Sequence, residues 1–360
     1  MLFMSKMQSA PRVSVLLLNW NGIDFTKQCL RSLILTQYPN LEIIVVDNGS
    51  ENNEAQDLKK EFGKKIKIIR NKKNVGYGIG MNIGYKYARG KYVAFINNDM
   101  EFSPSWLEPL VRVLERNNNI GACQPKLINM RNKHYFDYAS AMGGFVDILG
   151  YPFARGRIFT HIEKDNGQYQ KIVKISWNGI FIARKELLEK TGLFNPIYFN
   201  YGEDMDLSFR IYGLGYIIVS VPQSIVYHYN AEALKKDMIR KMFYHHRNNL
   251  VLILINWPFH YLLFVIPARF LLDLVAIFYY LGIKFNAGAI GVVKGYISLL
   301  SILPYVLRER NKTQKLIKKG NFLHMPIYKG SIVFQYFILG KKTFGEVITN
   351  KSIHSVPIVN

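Results

Sequence analysis

Along the first two-thirds of the chain, short apolar runs alternate with segments of helical periodicity. Val13–Asn19 (VSVLLLN) is apolar until its last residue. A run this short and this continuous predicts a strand buried on both faces. Glu42–Asp47 (EIIVVD), Ile66–Arg70 and Lys91–Asn97 (KYVAFIN) predict further strands. Asp24 is placed to cap a helix reaching about Thr36, and a second helix is expected from about Tyr77 to Arg89. Ser103-Pro104 reads as an N-cap with proline in the first helical position, opening a helix to about Asn117. Glu203–Leu214 predicts a helix and Tyr216–Val221 a strand. This alternation predicts an α/β domain around a mostly parallel sheet. Tyr135–Lys174, rich in glycine and aromatics and without periodicity, predicts loops and short strands.

The pattern changes after Asn248. Asn248–Ala268 holds no Asp, Glu, Lys or Arg, and across Asn248–Leu307 the only charges are Arg269, Asp273, Lys284 and Lys294. The first run is long enough to span a bilayer, yet contains Asn256, Pro258, His260 and Pro267. Arg269 and Asp273, four apart, can neutralise each other on one helix face. Basic clusters flank the region: Lys235, Lys236, Arg240, Lys241 and Arg247 before it, and Arg308, Arg310, Lys312, Lys315, Lys318 and Lys319 after it. With both clusters on the cytoplasmic side, the chain crosses an even number of times or lies at the interface. The expected organisation is therefore three parts: 1–230 α/β, 231–320 membrane-associated and mainly helical, and 321–360 a C-terminal tail.

Composition sharpens this picture. The chain of 360 residues carries a net charge of +22, and 20% charged with 14% aromatic residues excludes wholesale disorder. Ala231–Asn360 holds 18 Lys and Arg against 5 Asp and Glu, so most of the excess borders the apolar runs. That placement favours an anionic membrane surface over nucleic acid. Cys29 and Cys123 are two isolated cysteines, which excludes a disulfide framework and makes a structural zinc site unexpected. The N-terminus, MLFMSKMQSAPR, shows no apolar signal-peptide core.

Candidate chemistry gathers at strand ends, where open α/β sheets bind ligands. Asn19 and Asn21 follow the first strand, Asp47 and Asn48 the second, and Asn97, Asn98 and Asp99 the Lys91 strand. Asn and Asp are ordinary turn formers, but three strands ending alike is less ordinary. Asp47 can accept hydrogen bonds from a base or ribose, and Asp99 offers a hard oxygen to Mg²⁺ or Mn²⁺ beside a diphosphate. Asn74-Val-Gly-Tyr-Gly-Ile-Gly-Met-Asn82 carries Gly76, Gly78 and Gly80, which let backbone approach a ligand, but it is neither GxGxxG nor a Walker loop. Glu203, Asp204 and Asp206 place three carboxylates at a helix start, and Trp177 is either a sugar-stacking ring or core.

In order, VSVLLLNWNG, IIVVDNGS, NVGYGIGMNIGYKYARGKYVAFINNDMEF, WNGIFIARKELLEKTGLFNPIYFNYGEDMDLSFR and VYHYN resemble glycosyltransferase family 2. The nearest likeness is to its rhamnosyltransferase-like and galactofuranosyltransferase-like members, over about Val13–Asn249. The resemblance implies a GT-A fold with a mostly parallel mixed sheet, and inversion at the anomeric carbon of a nucleotide sugar. It implies that Asp47 holds the base, with Asn19, Asn21, Asn48, Asn74, Gly76, Asn82 and Asn98 on the donor side. Asn97-Asn98-Asp99 takes the place of the DxD motif, so a divalent metal, Mg or Mn, rests on Asp99 with His228. Asp204 matches the general base, with Glu203 beside it, and Trp177, Asp206 and Arg247 are the acceptor-side candidates, although Asp206 with Arg210 better suits bracing of the helix.

The expected protein is a metal-assisted, inverting hexosyl- or deoxyhexosyltransferase. It would use a UDP- or dTDP-linked sugar and a lipid-linked saccharide acceptor at the cytoplasmic membrane face, with 135–174 as an acceptor-side wall. A homo-oligomer through the C-terminal region remains open. The alternatives are a catalytically dead GT-A membrane scaffold, which the acid replaced at Asn97 keeps in play, and a polyprenyl-phosphate sugar synthase. A processive synthase would show QxxRW, which is missing.

Overall fold

The computed structural model describes residues 10–230, 237–317 and 325–348. Of the basic residues named above, Lys235, Lys236, Lys318 and Lys319 lie outside the described residues, as does the junction expected at 230/231. The strands of the first half are β1 (Val13–Asn19), β2 (Leu41–Asp47), β3 (Lys67–Arg70), β4 (Tyr92–Ile96), β5 (Met100–Phe102) and β6 (Ile120–Asn129). They are followed by β7 (Gly144–Asp147), β8 (Pro152–Ala154), β9 (Arg157–Ile158), β10 (His161–Ile162), β11 (Val173–Lys174), β12 (Phe181–Arg184), β13 (Ile217–His228) and β14 (Ile327–Tyr328).

The main sheet runs β11-β13-β6-β12-β4-β1-β2-β3, with β5 paired to β13. Its β4-β1-β2-β3 half is parallel, as the apolar runs predict, while β12 inserts antiparallel between β4 and β6. Register then does the work of assembly. Asn19 faces Asp47, Asp47 faces Arg70, and β4 stops level with Leu17, so the polar ends of three strands emerge along one edge.

Helices cover both faces: α1 (Ile23–Ile34), α2 (Glu54–Phe62), α3 (Tyr77–Tyr85), α4 (Leu107–Arg116), α5 (Lys185–Thr191) and α6 (Glu203–Gly213). Two helix starts differ from expectation. The α1 N-cap is Gly22, and Asp24 sits in the first turn, where its charge still favours the positive helix end. Ser103 does not cap α4, which starts at Leu107; its hydroxyl donates instead to the Ile225 carbonyl on β13. The α3 helix ends at Tyr85, because the backbone then turns through bonds from Tyr87 to Gly84 and from Ala88 to Tyr85.

The aperiodic stretch becomes a second sheet, ordered β10-β9-β8-β7-β14. Its last strand comes from the segment expected to be a tail. Phe344, on the one-turn helix α10 (Phe344–Val347), packs among Phe145, Phe153 and Tyr169, and Asp147 Oδ2 accepts the Ile332 N–H. Residues 325–348 are thus built into this second sheet and its packing rather than trailing from it.

Three long helices complete the chain: α7 (Met238–Asn256), α8 (Phe259–Gly282) and α9 (Asn286–Leu316). Asn248 bonds from α7 to the Asn200 and Tyr201 carbonyls, and Trp257, just beyond α7, stacks on Phe209 of α6 at 5.0 Å. The α9 helix follows α7 along its length. Gly291 and Gly295 lie against Met242 and Arg247, where a side chain would collide. Arg310 binds the Leu254 and Trp257 carbonyls, and Gln314 those of Ile255 and Asn256. The apolar helices therefore form a layer lying along the α/β domain. Arg269 and Asp273 are both buried within that layer, 3.5 Å apart, with Arg269 also bonded to Asn249. The outward surface carries Leu263, Phe264, Leu271, Phe278, Ile297 and Leu300, each more than half exposed.

Candidate functional site

At the carboxyl edge of β1 and β2, Asn19 organises a buried polar knot. Its Nδ2 donates to Glu54 Oε2 (2.8 Å), Ser50 Oγ (3.2 Å) and Asp47 Oδ1 (3.3 Å), while its Oδ1 accepts from Thr26 Oγ1 (2.6 Å). Asn98 Nδ2 joins through Thr26 (2.9 Å). Asn21, at φ +47°, braces the same loop by donating to Ser50 Oγ and accepting from the Glu51 N–H. Asp47 is fully buried; Ser50 donates to its Oδ1, and its Oδ2 faces the Arg70 guanidinium at 3.4 Å. Ser50, Glu54, Thr26 and Arg70 were not singled out by the sequence, because each is held there by a strand or helix it does not neighbour in the chain.

Asn48 and Asn74 shape the adjoining loop. Asn48 Nδ2 donates to Asn74 Oδ1 (3.0 Å) and to the Gly76 carbonyl (3.2 Å), and its Oδ1 accepts from Asn71 Nδ2 (2.9 Å). Gly76, at φ +85°, caps α3 and lies so close to the Phe199 carbonyl that no side chain fits. Asn82 requires a correction. Both ends of its amide are committed to the Phe194 backbone, at 2.8 and 3.1 Å, so it ties α3 to the 194 turn and is withdrawn from the donor-binding set.

Past β4, Asp99 Oδ1 meets His228 Nε2 at 3.1 Å. The other ring nitrogen, Nδ1, meets Asp137 Oδ1 at 2.9 Å, and Asn230 Nδ2 bonds to Asp137 Oδ2. Burial alone would lower the His228 pKa, but the flanking carboxylates of Asp137 and Asp99 hold it well above the usual histidine value. Among the described residues, no three His, Cys, Asp or Glu side chains gather into a metal cage. Asp99 and His228 form a two-donor set of one hard oxygen and one imidazole.

The third wall is the start of α6. Gly202, at φ +90°, caps it, and a Cβ added to Gly78 of α3 would meet Glu203 Cβ at 3.7 Å, so two glycine-capped helix starts abut. Glu203 is buried, and its Oε2 lacks a hydrogen-bond donor. Asp204 is partly exposed; its Oδ1 accepts the Met205 N–H at 2.8 Å. Burial raises both carboxyls, Asp204 to about 7 and, with the Asp204 charge adding to the effect, Glu203 to about 8. The Tyr77 phenol lies in the field of Glu203, Asp204 and Asp99 together, and burial with those charges holds its pKa well above the usual value.

Three acceptor-side candidates are placed elsewhere. Asp206 is fully buried, its Oδ2 bidentate to Arg210 (3.0 and 2.7 Å) and its Oδ1 bonded to Asn256, so it fastens α6 to α7. Trp177 is core: its Nε1 donates to the Phe145 carbonyl at 2.9 Å and its ring fills the space above Gly144. Arg247 is engaged with the Ile197 carbonyl (3.0 Å) and Asn248 Oδ1 (2.8 Å) and lies over the Phe243 and Tyr244 rings.

Comparison with known proteins places this arrangement. The family model described as "Glycosyl transferase family 2" matches residues 14–192. An uncharacterised glycosyltransferase of Haemophilus influenzae is 38% identical over 118 residues, covering 32% of this chain and 36% of that protein. An O-antigen biosynthesis protein of Myxococcus xanthus is 26% identical over 239 residues, covering 64% of this chain and 18% of that protein. The chain thus spans roughly a third or less of these relatives' length. Among solved structures, GalNAc-T7 with UDP, GalNAc and Mn²⁺ matches 71% of this chain and 49% of that one, with a TM-score of 0.54 and 17% identity. A mannosyltransferase from Pyrobaculum calidifontis with GDP-Man and Mn²⁺ matches 88% and 84%, with a TM-score of 0.52 and 15% identity. At such identities the likeness is one of fold, and the fold is GT-A. Residues 14–192 thus form a glycosyltransferase family 2 domain.

Proposed function

We propose that the protein is an inverting glycosyltransferase. It moves a hexosyl or deoxyhexosyl group from a UDP- or dTDP-linked donor to a lipid-linked saccharide at the cytoplasmic membrane face. The observation that carries this reading is the start of α3, where a Cβ on Gly80 would meet Asn48, next to Asp47, at 3.5 Å and one on Gly78 would meet Glu203 Cβ at 3.7 Å, while Asn98, next to Asp99, bonds into the polar knot through Thr26. A nucleotide held by Asp47 and its loop would direct its diphosphate toward Asp99 and the start of α3, where helix-end N–H groups favour anions.

A divalent metal fits this site as a guest of the diphosphate. Asp99 and, once its Nε2 proton has left, His228 would supply two ligands, and Mg²⁺ or Mn²⁺ commonly completes its shell with phosphate oxygens and water. When bound, it would offset the charge developing on the leaving diphosphate. The chain's own contribution is the base. With a pKa raised to about 7, Asp204 can accept the acceptor hydroxyl's proton near neutrality, as that oxygen attacks the anomeric carbon and the nucleoside diphosphate departs from the opposite side. Glu203, raised higher, would stay protonated and present a donor to the acceptor.

The membrane part of the proposal is monotopic. Two helices, Phe259–Gly282 and Asn286–Leu316, are long and apolar enough to cross a bilayer. However, α9 packs along α7, α7 is bonded to the α/β domain, and Arg269 ties α8 to Asn249 of α7, which supports an in-plane layer over separate spans. The exposed face, extended by Phe334, Phe337 and Ile338, suits in-plane insertion with lysines and arginines at its rim.

The test is thermal stabilisation of detergent-purified protein by UDP, dTDP and GDP, with and without Mn²⁺. Metal-dependent stabilisation, lost in Asp99→Ala, is expected. A well-folded protein indifferent to every nucleotide would refute the transferase and favour the scaffold.

A further inference from the structure

The segment Phe136–Ser140 joins parts of the site that the sequence keeps apart. Asp137 holds His228, and three residues on, Ser140 Oγ lies beside Gly179, itself next to Asp204 Oδ2. Between them the Tyr138 ring projects, 43% exposed. The Arg157 guanidinium stands 4.6 Å from its centroid, and Lys241 Nζ 6.0 Å. One turn along α7 from Lys241, His245 stacks on Tyr201 at 4.6 Å, and Tyr201 leads directly into Glu203 and Asp204. Two cations and three rings thus surround a patch on the acceptor side of the base.

Among the described residues, neither Arg157 nor Lys241 is in an ion pair with a carboxylate, although the Asp137 charge acts on Arg157 from beyond ion-pair distance. Arg157 is 8% exposed; one of its nitrogens donates to the Phe159 carbonyl, and its Nε has no acceptor. A buried guanidinium with an unspent donor is costly unless an anion completes it. Aromatic faces beside it suit a sugar ring or an isoprenoid. The patch also borders the apolar layer: on α7, His246 contacts Tyr280 edge-on at 6.2 Å, and Phe278, 73% exposed, is two residues from Tyr280 on α8.

We infer that Arg157 and Lys241, over Tyr138, bind the phosphate of an amphiphilic acceptor, a lipid diphosphate whose apolar chain runs out along α8. The inference rests on the transferase reading and names its acceptor class. It also moves the acceptor cation from Arg247, which is bonded to the Ile197 carbonyl and Asn248, to the pair beside Tyr138.

Farnesyl diphosphate is a suitable probe for the full chain in detergent, by calorimetry against farnesol. The diphosphate is expected to bind, with farnesol at least about tenfold weaker, and Arg157→Gln or Lys241→Gln each to cost about tenfold or more, in line with a charge-assisted hydrogen bond. Affinity for UDP or dTDP with Mn²⁺ is expected to be unchanged in both variants. Lys241 is only partly buried, so its variant remains informative if Arg157→Gln fails to fold. Equal binding of farnesol, or full diphosphate affinity in Lys241→Gln, overturns the assignment. So does loss of nucleotide affinity in the variants, which would give these cations to the donor. Phosphatidylglycerol vesicles competing as well as farnesyl diphosphate would make the patch a headgroup site instead. Wild-type protein that binds the lipid diphosphate but no nucleotide would sink the transferase reading separately.

Discussion

The pair Glu203–Asp204 yields a pH dependence with a definite sign. In the fold, Asp204 is raised from its ordinary 3.8 to about 7, chiefly because burial strips water from the carboxylate. At about 1.4 kcal/mol per unit, ionising it costs up to about 4 kcal/mol, an upper bound because one edge still meets solvent. As a general base it must be ionised, so kcat/KM should fall about tenfold per pH unit below 7, with roughly a tenth of the neutral-limb activity left at pH 6. The assay is release of nucleoside diphosphate across pH 5.5–8.5 at low acceptor concentration. Glu203→Gln, neutral like protonated Glu203, should keep the limb near 7. An acid limb near 4, or none, would refute the role given to Asp204.

The same shift has the opposite consequence for stability. A carboxyl whose pKa is raised by folding makes the folded chain bind more protons than the unfolded one between about pH 4 and 7. Stability is therefore greatest below that window and falls as pH rises through it. Asp204→Asn, unable to ionise, should thus melt higher than wild type at pH 8, by about 1–4 kcal/mol, and equally at pH 4, while losing activity. A variant less stable than wild type at pH 8 would mean the carboxylate is stabilised in the fold, against this account.

Other expectations follow from single contacts. Gly76→Ala forces a side chain to φ +85° against the Phe199 carbonyl; it should cost about 2 kcal/mol or more and weaken nucleotide binding, read by melting and calorimetry, and an unchanged melt would contradict the capping geometry. Trp177→Phe, which removes the Nε1 bond to the Phe145 carbonyl and part of the ring packed over Gly144, should cost about 1–3 kcal/mol in urea unfolding and leave acceptor KM alone; a raised KM at full stability would restore Trp177 to the acceptor site. Phe264→Glu with Phe278→Glu should abolish vesicle binding, each ring contributing about 1.5–3 kcal/mol when buried, without altering nucleotide binding; retained vesicle binding would place the membrane contact elsewhere.

What the sequence revealed and what it hid divide along a physical line. The β1, β2 and β4 strands were legible because a parallel strand buried on both faces needs an unbroken apolar run, and their polar ends marked the edge where Asn19, Asp47 and Asp99 now stand. Gly76 was legible because its backbone conformation suits glycine. The second sheet was legible only as loops and short strands, since β7 to β10 are two to four residues long, too short to show a period, and their last partner, β14, arrives from about 180 residues downstream. Trp177, Asp206 and Asn82 show the converse failure. Each has the chemistry of a binding residue, and each is spent on a neighbour that sequence cannot reveal: a carbonyl on β7, an arginine with an α7 amide, and a turn 112 residues away. Asp137 is the telling case. It sits in the aperiodic stretch inside FDYAS, yet it fixes the ring of His228 from 91 residues away, as carboxylates commonly do for histidines that bind metals. A carboxylate in that role needs only to reach one ring nitrogen, and any loop that passes within 3 Å will serve. The reacting groups of such a site leave a trace in the chain because their spacing is tied to strand ends, whereas the groups that orient them are tied only to a point in space.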